Sequence, residues 1–560
     1  MTENTIITPS LPVTKETVSR FGETLRAYAK NKASLEKRIV DCDARWRLKS
    51  AASDRKNLKY RPASAWLFNS IINKHADVMD SLPSCEILPR EESDSDFASV
   101  LSSVLPAALE NCDFESVYSD VWFDKLKYGT GVYGVFWDPS LENGLGDVTV
   151  RRTDLLSIYW EPGINDIQDS KYVFVVDRVD SESLVAEYPF LEGKTGGVSE
   201  RPPLRTGEGD VVLSGKTDVV DVYYKVRSGG KKLLHYCKFA CGELLFASEN
   251  EPEYEYRGFY SHGLYPFVFD RLFPENSSPC GFGYIDVMKD SQEQIDLVGE
   301  SVAENVRMAS RVRYFARGDG SVNEEEFADW DVPIIHYNGS GDPNESVIPV
   351  NPPTLPTVCL AFMNNKIEEL KETSGNTAFH QGSTALGVTA ASAIAALQES
   401  SSKLSRDMIK GSYRAFTAVC RLVIEDMLEF YKAPRYFRLT GPNGSVFAPF
   451  PSSELFGGRR PVYDVKVAAQ KKNAFSRLSQ NELAKEFYAA GFFDPARYAE
   501  ARLCLEMMDF EGKEILLDKL RKNAESLYAP SAPAPGGAGN TKRNVIAEAT
   551  DYASSSAGPR

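Results

Sequence analysis

The sequence lacks long hydrophobic runs, an excess of basic charge and any complete catalytic motif. No stretch approaches about eighteen uninterrupted apolar residues, so neither a transmembrane helix nor a membrane partner is expected. The first residues lack the basic and apolar regions of a signal peptide, and the nine cysteines are scattered and odd in number. These features favour a protein that is made, and kept reduced, in the cytosol.

The charge balance is acidic, with 64 basic residues, 79 acidic residues and a net charge of −15. A protein that grips nucleic acid by displacing counterions normally presents a basic surface. The balance therefore argues against an ordinary DNA-binding module. It is compatible with a conduit along whose walls DNA slides without sticking.

Two patterns resemble nucleotide-binding motifs but fail in their context. Residues Gly129 to Gly134 match G-x-G-x-x-G, yet a helical segment precedes them and a strand follows, which reverses the order in dinucleotide-binding folds. The triplets Gly193–Thr195 and Gly215–Thr217 lack the earlier glycine of a P-loop, since Tyr188 and Asp210 stand there. A helix-to-strand turn that needs glycine freedom explains the first pattern better.

Histidine and cysteine spacing gives little support for a metal site. His235, Cys237 and Cys241 are candidate ligands, because imidazole and thiolates bind zinc. No second ligand pair follows at the usual spacing, so a packed hairpin with free thiols is favoured. His262 falls in a predicted turn and is not expected to be catalytic. The sequence predicts no metal, no cofactor and no catalytic residue.

The strongest periodic patterns are two long amphipathic helices. Apolar residues recur at helical spacing from Ile285 to Ser310, and again from about Ala390 to Tyr431, which predicts a second helix on the order of 60 Å long. The stretch Thr373–Gly387, rich in Gly, Ser and Thr, predicts a loop before the longer helix. Each apolar stripe needs a packing partner.

The other segments predict an α+β fold that is mainly α. Strand patterns fill residues 148–273. The charged helical pattern of the first 60 or so residues favours an arm that packs on a neighbouring subunit. Residues 529–560 are rich in Ala, Pro, Gly and Ser and are expected to be disordered.

Three segments resemble a known family. In this order of elements, Gly281–Asp286, Gln292–Asp296 and Gly387–Glu399 resemble the portal protein of tailed bacteriophages, over roughly residues 60 to 525. The resemblance implies a portal fold with wing, stem, clip and crown, assembled as a ring-shaped homo-oligomer around a central channel. The implied division is an N-terminal helical arm 1–60, wing 61–284, first stem helix 285–311, clip 312–356, second stem helix 357–374, tunnel loop 375–389, long wing helix 390–432, wing β return 433–472, helical crown 473–528 and tail 529–560.

The resemblance also implies candidate site residues in three regions. In the tunnel loop, the residues expected to face DNA are Asn376, Thr377, Phe379, His380, Gln381, Ser383, Thr384 and Leu386. In the stem, the candidates for the channel wall are Lys366, Glu369, Lys371 and Glu372. In the clip, the candidates for terminase docking are Glu324, Glu325, Glu326, Asp329 and Trp330.

Two charged patterns leave alternatives open. The acidic run 324–331 is either a solvated face or a docking surface for the packaging motor. Lys403, Lys410, Arg414 and Arg421 recur along the long helix, where ion pairing with a neighbouring subunit is favoured over DNA contact.

The implied function is structural rather than enzymatic. A dodecameric ring at one capsid vertex would admit double-stranded DNA driven by the large terminase subunit, and later release it into the tail. The expected partners are further copies of the chain, terminase, major capsid and scaffolding proteins, head–tail adaptor or tail proteins, and DNA. The expected location is the virion vertex, after assembly in the host cytoplasm. The alternatives are another head–tail connector or adaptor and a nucleotide-dependent phosphotransferase.

Overall fold

The computed structural model describes most of the chain up to residue 471 and shorter pieces beyond it. The described ranges are 12–48, 64–195, 205–206, 209–210, 215–228, 231–310, 313–316, 323–329, 333–334, 336–340, 342, 347–350, 356–375, 403–432, 435–441, 444–450, 462–471, 485–491, 498–506, 516–517 and 519–522. The chain divides into two units, Met1–Lys471 and Lys472–Arg560.

The fold is helix-rich α+β, in agreement with the prediction. The α-helices are α1 (Lys15–Trp46), α2 (Trp66–Met79), α3 (Ser95–Asn111), α4 (Phe114–Tyr128), α5 (Ser181–Glu187), α6 (Tyr284–Ser310), α7 (Glu324–Ala328), α8 (Thr357–Ser374), α9 (Lys403–Phe430) and α10 (Tyr498–Glu506). The strands are β1 (Ser81–Pro89), β2 (Thr130–Asp138), β3 (Asp147–Arg152), β4 (Ile158–Trp160), β5 (Tyr172–Asp180), β6 (Arg205–Thr206), β7 (Gly209–Asp210), β8 (Lys216–Ser228), β9 (Lys231–Ala240), β10 (Glu243–Ala247), β11 (Phe267–Arg271), β12 (Phe273–Pro274), β13 (Gly281–Phe282), β14 (Arg313–Ala316), β15 (Val347–Val350), β16 (Tyr436–Gly441), β17 (Gly444–Pro449) and β18 (Tyr463–Lys471).

The main core of the first unit joins the antiparallel sheet β11-β2-β3 to helices α2, α3, α4, α6 and α9. Trp122, Tyr118 and Tyr133 are among its largest fully buried side chains. The apolar stripe predicted for the longer helix is confirmed where α9 is described, since Phe416 and Val423 are buried. The predicted first turns of that helix, residues 390–402, lie outside the described residues. Helix α6 begins one residue before its predicted start.

A second core lies between α1 and the five-stranded antiparallel sheet β10-β9-β8-β5-β4. Phe21 lies 5.6 Å from Tyr172 and 5.3 Å from Tyr224, measured between ring centroids, and Leu25 is buried beside it. Helix α1 thus buries its apolar stripe on its own chain. The predicted packing of the N-terminal arm on a neighbouring subunit stays a prediction. The buried side of its stripe is covered by a sheet of the same chain, which lies too far along the sequence to be recognised from a periodic pattern.

Strands β1 and β18 join two distant parts of the first unit. They pair antiparallel from Ser81 opposite Lys471 to Pro89 opposite Tyr463. Phe97 on α3 packs on Tyr463, with ring centroids 6.2 Å apart. The chain after α9 therefore returns to the core that the first helices build.

The second unit is described only in part. Helix α10 contributes Leu505 to a small apolar cluster with Phe487 and Leu520. All three side chains are buried.

Candidate functional site

Helices α6 and α8 pack together on either side of a short insertion. The first half of α6 is anchored in the main core through Tyr284, Ile285, Met288 and Ile295. Every residue of α6 is described, and none after Ile295 is buried. On α8 the buried residues are Leu370 and Ser374, near its C-terminal end. One end of this hairpin is therefore held in the core, and its other end is accessible.

A polar network fixes the anchored end of the hairpin. Asp296 Oδ1 accepts the backbone N–H of Ser64 at 3.0 Å and its hydroxyl at 2.7 Å. Gln292 Nε2 donates to the Ser64 carbonyl at 3.0 Å, while its Oε1 accepts the N–H of Leu67. These bonds satisfy backbone groups that the start of α2 would otherwise leave unpaired. Sequence reasoning missed the network because its two halves lie 232 residues apart.

The stem candidates lie on α8 and carry both signs of charge. Lys366 Nζ lies 2.7 Å from Glu369 Oε2, and Ser291 on α6 donates to Glu369 Oε1 at 3.2 Å. Lys366 and Ser291 lower the pKa of Glu369 through these bonds. Lys371 Nζ lies over the Trp66 ring, 5.1 Å from its centroid, and Glu372 is exposed. The structure thus joins one pair of the four candidates and separates the other two.

The clip candidates lie on and after the short helix α7. Glu326 Oε2 accepts from the backbone N–H of His336 at 2.7 Å and lies 2.9 Å from its Nδ1, and these bonds lower the pKa of Glu326. Glu324, Glu325 and Asp329 are exposed. Trp330 lies outside the described residues.

The same region contains the two-stranded ribbon β14–β15. Phe315 and Ile348 face each other across the ribbon and are 68% and 55% exposed. A two-stranded ribbon is only marginally stable by itself in water. Packing of these exposed side chains on another surface would stabilise it.

The predicted tunnel-loop residues, Asn376, Thr377, Phe379, His380, Gln381, Ser383, Thr384 and Leu386, lie outside the described residues. Before them, α8 ends at Ser374, and Gly375 takes a left-handed conformation at φ +69°. This is the usual way for a glycine to end a helix. After them, the described chain resumes at Lys403, the first residue of α9.

Three contacts fix α9, the helix that follows the predicted loop. Lys125 on α4, Asp270 on β11 and Ser412 on α9 form a buried network, with Lys125 Nζ 2.7 Å from Asp270 Oδ1 and 3.2 Å from Ser412 Oγ. Near the other end of the helix, His262 Nε2 lies 3.4 Å from Asp426 Oδ1. Just past it, the Tyr431 hydroxyl donates to Asp147.

Exposed cations mark the outer face of α9. Lys410, Arg414 and Arg421 are exposed, as the predicted basic stripe requires, and the side chain of Lys403 lies outside the described residues. Arg90, and to a smaller extent Arg421, lower the pKa of Asp464 on β18. Arg421 is therefore partly compensated within its own chain.

The glycine pattern that resembles a dinucleotide-binding motif takes a structural role. Gly129 ends α4 with φ +85°, and β2 begins at Thr130, which confirms the predicted helix-to-strand turn. A Cβ atom at Gly129 would lie 2.2 Å from the carbonyl carbon of Phe282, so the position also needs glycine for space.

The candidate metal ligands do not converge. His235 and Cys237 are buried in β9, and Cys241 is exposed at the following turn. His235 Nδ1 lies 3.1 Å from Ser248 Oγ, and burial lowers the pKa of His235 to about 4. Among the residues that the structure describes, no group of three or more His, Cys, Asp or Glu side chains is placed to hold a metal ion.

The comparisons identify the family to which this arrangement belongs. None of the described helices is long and apolar enough to cross a membrane. A search of curated proteins found no match. The family model for phage P22-like portal proteins matches residues 69–541, a range that contains the α6–α8 hairpin, its insertion and α9. Because this match covers most of the sequence, the chain belongs to the phage P22-like portal protein family.

Proposed function

We propose that the chain is the subunit of a dodecameric portal ring at one capsid vertex, through which double-stranded DNA enters during packaging and leaves during ejection. The family match over residues 69–541 carries this proposal. In it, α6 and α8 form the stem, the insertion between them forms the clip, and residues 376–386 face DNA as the tunnel loop.

The accessible end of the α6–α8 hairpin supports assembly with further copies. On α6, Val306 and Met308 are 61% and 45% exposed, and on α8, Val358 and Phe362 are 73% and 41% exposed. Large apolar side chains that are exposed on both helices of the hairpin favour a surface that another protein covers. In a ring, neighbouring copies supply that cover.

The mixed charges of the stem suit a passage rather than a binding site. Cations that neutralise phosphates hold DNA by counterion release, and the affinity grows with their number. Lys366 is paired with Glu369, and Glu368 and Glu372 are exposed beside it. A wall of this kind presents few unpaired cations that would hold a translocating duplex.

The remaining partners follow from the same role. The clip, with exposed Glu324 and Glu325, docks the large terminase subunit, which supplies the motor. The ring contacts capsid and scaffolding proteins during assembly in the host cytoplasm and head–tail adaptor or tail proteins in the virion. The portal contributes positioning and passage, with no catalytic residue and no cofactor of its own.

Negative-stain imaging of the purified protein tests this function. Class averages viewed down the particle axis are expected to show rings with a central hole and about twelve-fold symmetry, since head-to-tail contacts close into rings. Compact dimers without a channel would contradict the proposal. Specific ATP binding by the purified protein would favour the phosphotransferase alternative instead.

A further inference from the structure

A groove of about 460 Å³ lies beside α9, between this helix and strand β11. Gly411 and Ala415 on α9 and Phe269 on β11 supply apolar lining. Arg414 on α9 and Arg271 at the end of β11 also line it, and both are exposed. The groove thus combines a small apolar surface with two guanidinium groups from two different elements.

The nearby carboxylates already have partners within the chain. Asp270, which lines the groove, pairs with buried Lys125 at 2.7 Å. Asp166, an exposed residue that also lines the groove, accepts the backbone N–H of Gln168 at 2.9 Å. Neither carboxylate forms an ion pair with Arg271 or Arg414.

The two arginines have no such compensation. Within the part of the chain that the structure describes, Arg271 and Arg414 form no ion pair, and Arg271 Nη1 reaches only the carbonyl oxygen of Ser278, at 3.5 Å. Lys410, one turn before Arg414, is exposed as well and likewise has no ion pair among the described residues. Among the described residues, Arg271 and Arg414 are therefore cations without an ion pair in this groove, on a chain whose net charge is −15.

This combination fits an acidic polypeptide better than nucleic acid. A guanidinium group binds a carboxylate through two parallel hydrogen bonds, and apolar lining between two such groups accommodates a side chain. Affinity for a nucleic acid backbone grows with the number of cations that contact it, and the described lining of this groove supplies only two. Because acidic residues outnumber basic ones by 79 to 64, another copy of this chain carries an excess of carboxylates that such a groove can bind.

We propose that the Arg271–Arg414 groove binds an acidic segment of a second copy of this chain. The arginines hold carboxylates of that segment, and a side chain beside them lies against Gly411 and Ala415. The inference rests on the proposed ring, in which each copy offers one surface to the copy before it and a different surface to the copy after it.

Charge reversal tests the groove in the assembled protein. The double variant Arg271→Glu/Arg414→Glu is expected to lose rings while its thermal unfolding temperature stays unchanged, because both side chains are exposed and like charges would face each other across the contact. Arg20→Glu/Lys30→Glu, at exposed positions on α1 outside the groove, is the matched control with the same change in net charge and should assemble normally. Arg271→Lys/Arg414→Lys keeps the charge and should also form rings.

A zero-length crosslink tests the contact directly. A carbodiimide joins amines to carboxylates that touch them, so Arg414→Lys places a reactive amine in the groove. Copies of this variant labelled with ¹⁴N and ¹⁵N are mixed, crosslinked and analysed by mass spectrometry. The amine introduced at position 414 should appear joined to an acidic peptide of the other isotope.

The outcomes separate this inference from the proposed function. Rings that survive the double reversal and give no such crosslink would overturn the inference and leave the portal function standing. A crosslink between copies in an assembly other than a ring would support the groove and contradict the ring. If the double reversal left rings intact but abolished duplex DNA binding, the groove would contact nucleic acid and the inference would fail.

Discussion

Lys125 Nζ lies 2.7 Å from Asp270 Oδ1 in the interior of the first unit, and the two side chains are only 1% and 3% exposed. The ammonium group also lies 3.2 Å from Ser412 Oγ and 4.1 Å from the centroid of the Trp122 ring. Burial lowers the pKa of Lys125, whereas Asp270 acts in the opposite direction. The network joins α4, β11 and α9 at one point.

Removing one charge of this pair should lower the free energy of unfolding. Lys125→Met leaves the Asp270 carboxylate buried without its counter-ion, which is expected to lower the free energy of unfolding by about 3–5 kcal/mol. The double variant Lys125→Met/Asp270→Asn removes both charges and should recover part of that loss. Denaturant titration of wild type, Lys125→Met, Asp270→Asn and the double variant measures the coupling. A double variant as unstable as the sum of its single changes would show that the pair does not interact.

Gly129 should tolerate no side chain. Its φ of +85° costs an L-residue about 1–2 kcal/mol, and a Cβ would also meet the Phe282 backbone at 2.2 Å. Gly129→Ala is therefore expected to lower the free energy of unfolding by about 3 kcal/mol or more. Gly242 is a matched control, because its φ is +77° and no heavy atom lies within 4 Å of the position that a Cβ would occupy there. Equal losses in the two alanine variants would exclude the predicted clash.

The sequence predicted those parts of the fold that depend on local pattern. Helix α6 was expected from Ile285 to Ser310 and is found from Tyr284 to Ser310, since a repeating apolar stripe specifies a helix without knowledge of its partner. The strand patterns of residues 148–273 correspond to β3–β5 and β8–β11 for the same reason. The turn at Gly129 followed from the order of helix and strand around it.

Contacts between distant segments could not be predicted in this way. Lys125 and Asp270 are 145 residues apart, and a lone lysine in a helix normally indicates a solvated position. Helix α1 shows an apolar stripe, but the stripe does not reveal whether its cover comes from the same chain or another. In the candidate site, only the Lys366–Glu369 pair could be anticipated, because residues three apart share a helix face.

The free energy of unfolding should fall as the pH rises from 3.8 to about 6 because of Asp426. Burial is the main cause that raises the pKa of Asp426 from 3.8 to about 6, with His262 acting in the opposite direction. Below pH 3.8 the carboxyl is protonated in both states. Above pH 6 the folded state holds a buried carboxylate, at a cost of about 3 kcal/mol.

Asp426→Asn isolates this contribution. Asp221 has its pKa raised to about 6 as well, so wild-type stability alone would mix the two groups. The variant should be more stable than wild type at about pH 7.5, and the difference should vanish near about pH 4. Thermal unfolding across this range measures it. A difference that does not change with pH would show that the Asp426 carboxyl does not titrate as proposed.

The proposed tunnel loop should matter for DNA and not for assembly. Deleting Asn376–Leu386 is expected to leave rings intact, because the described contacts of α6, α8 and α9 lie outside it, and to impair DNA packaging or retention. Replacing the same residues with an equal number of Gly and Ser residues separates the chemistry of the loop from its length. Genome content of the assembled particles is the measurement. Unchanged packaged DNA in both variants would remove the tunnel-loop assignment.

The acidic residues of the proposed clip should affect only the binding of the terminase motor. Glu324 and Glu325 are exposed, whereas Glu326 is engaged by His336 and is best left unchanged. Glu324→Lys/Glu325→Lys is expected to leave ring formation and the thermal unfolding temperature as in wild type, since exposed charges contribute little to stability. Binding of the large terminase subunit should weaken and become less sensitive to salt, because attractive charges at the rim of a contact have been reversed. Glu182→Lys/Glu187→Lys, on the exposed side of α5, is the matched control with the same change in net charge. If both double variants weaken terminase binding equally, net charge rather than a clip surface governs the contact, and the acidic run is a solvated face.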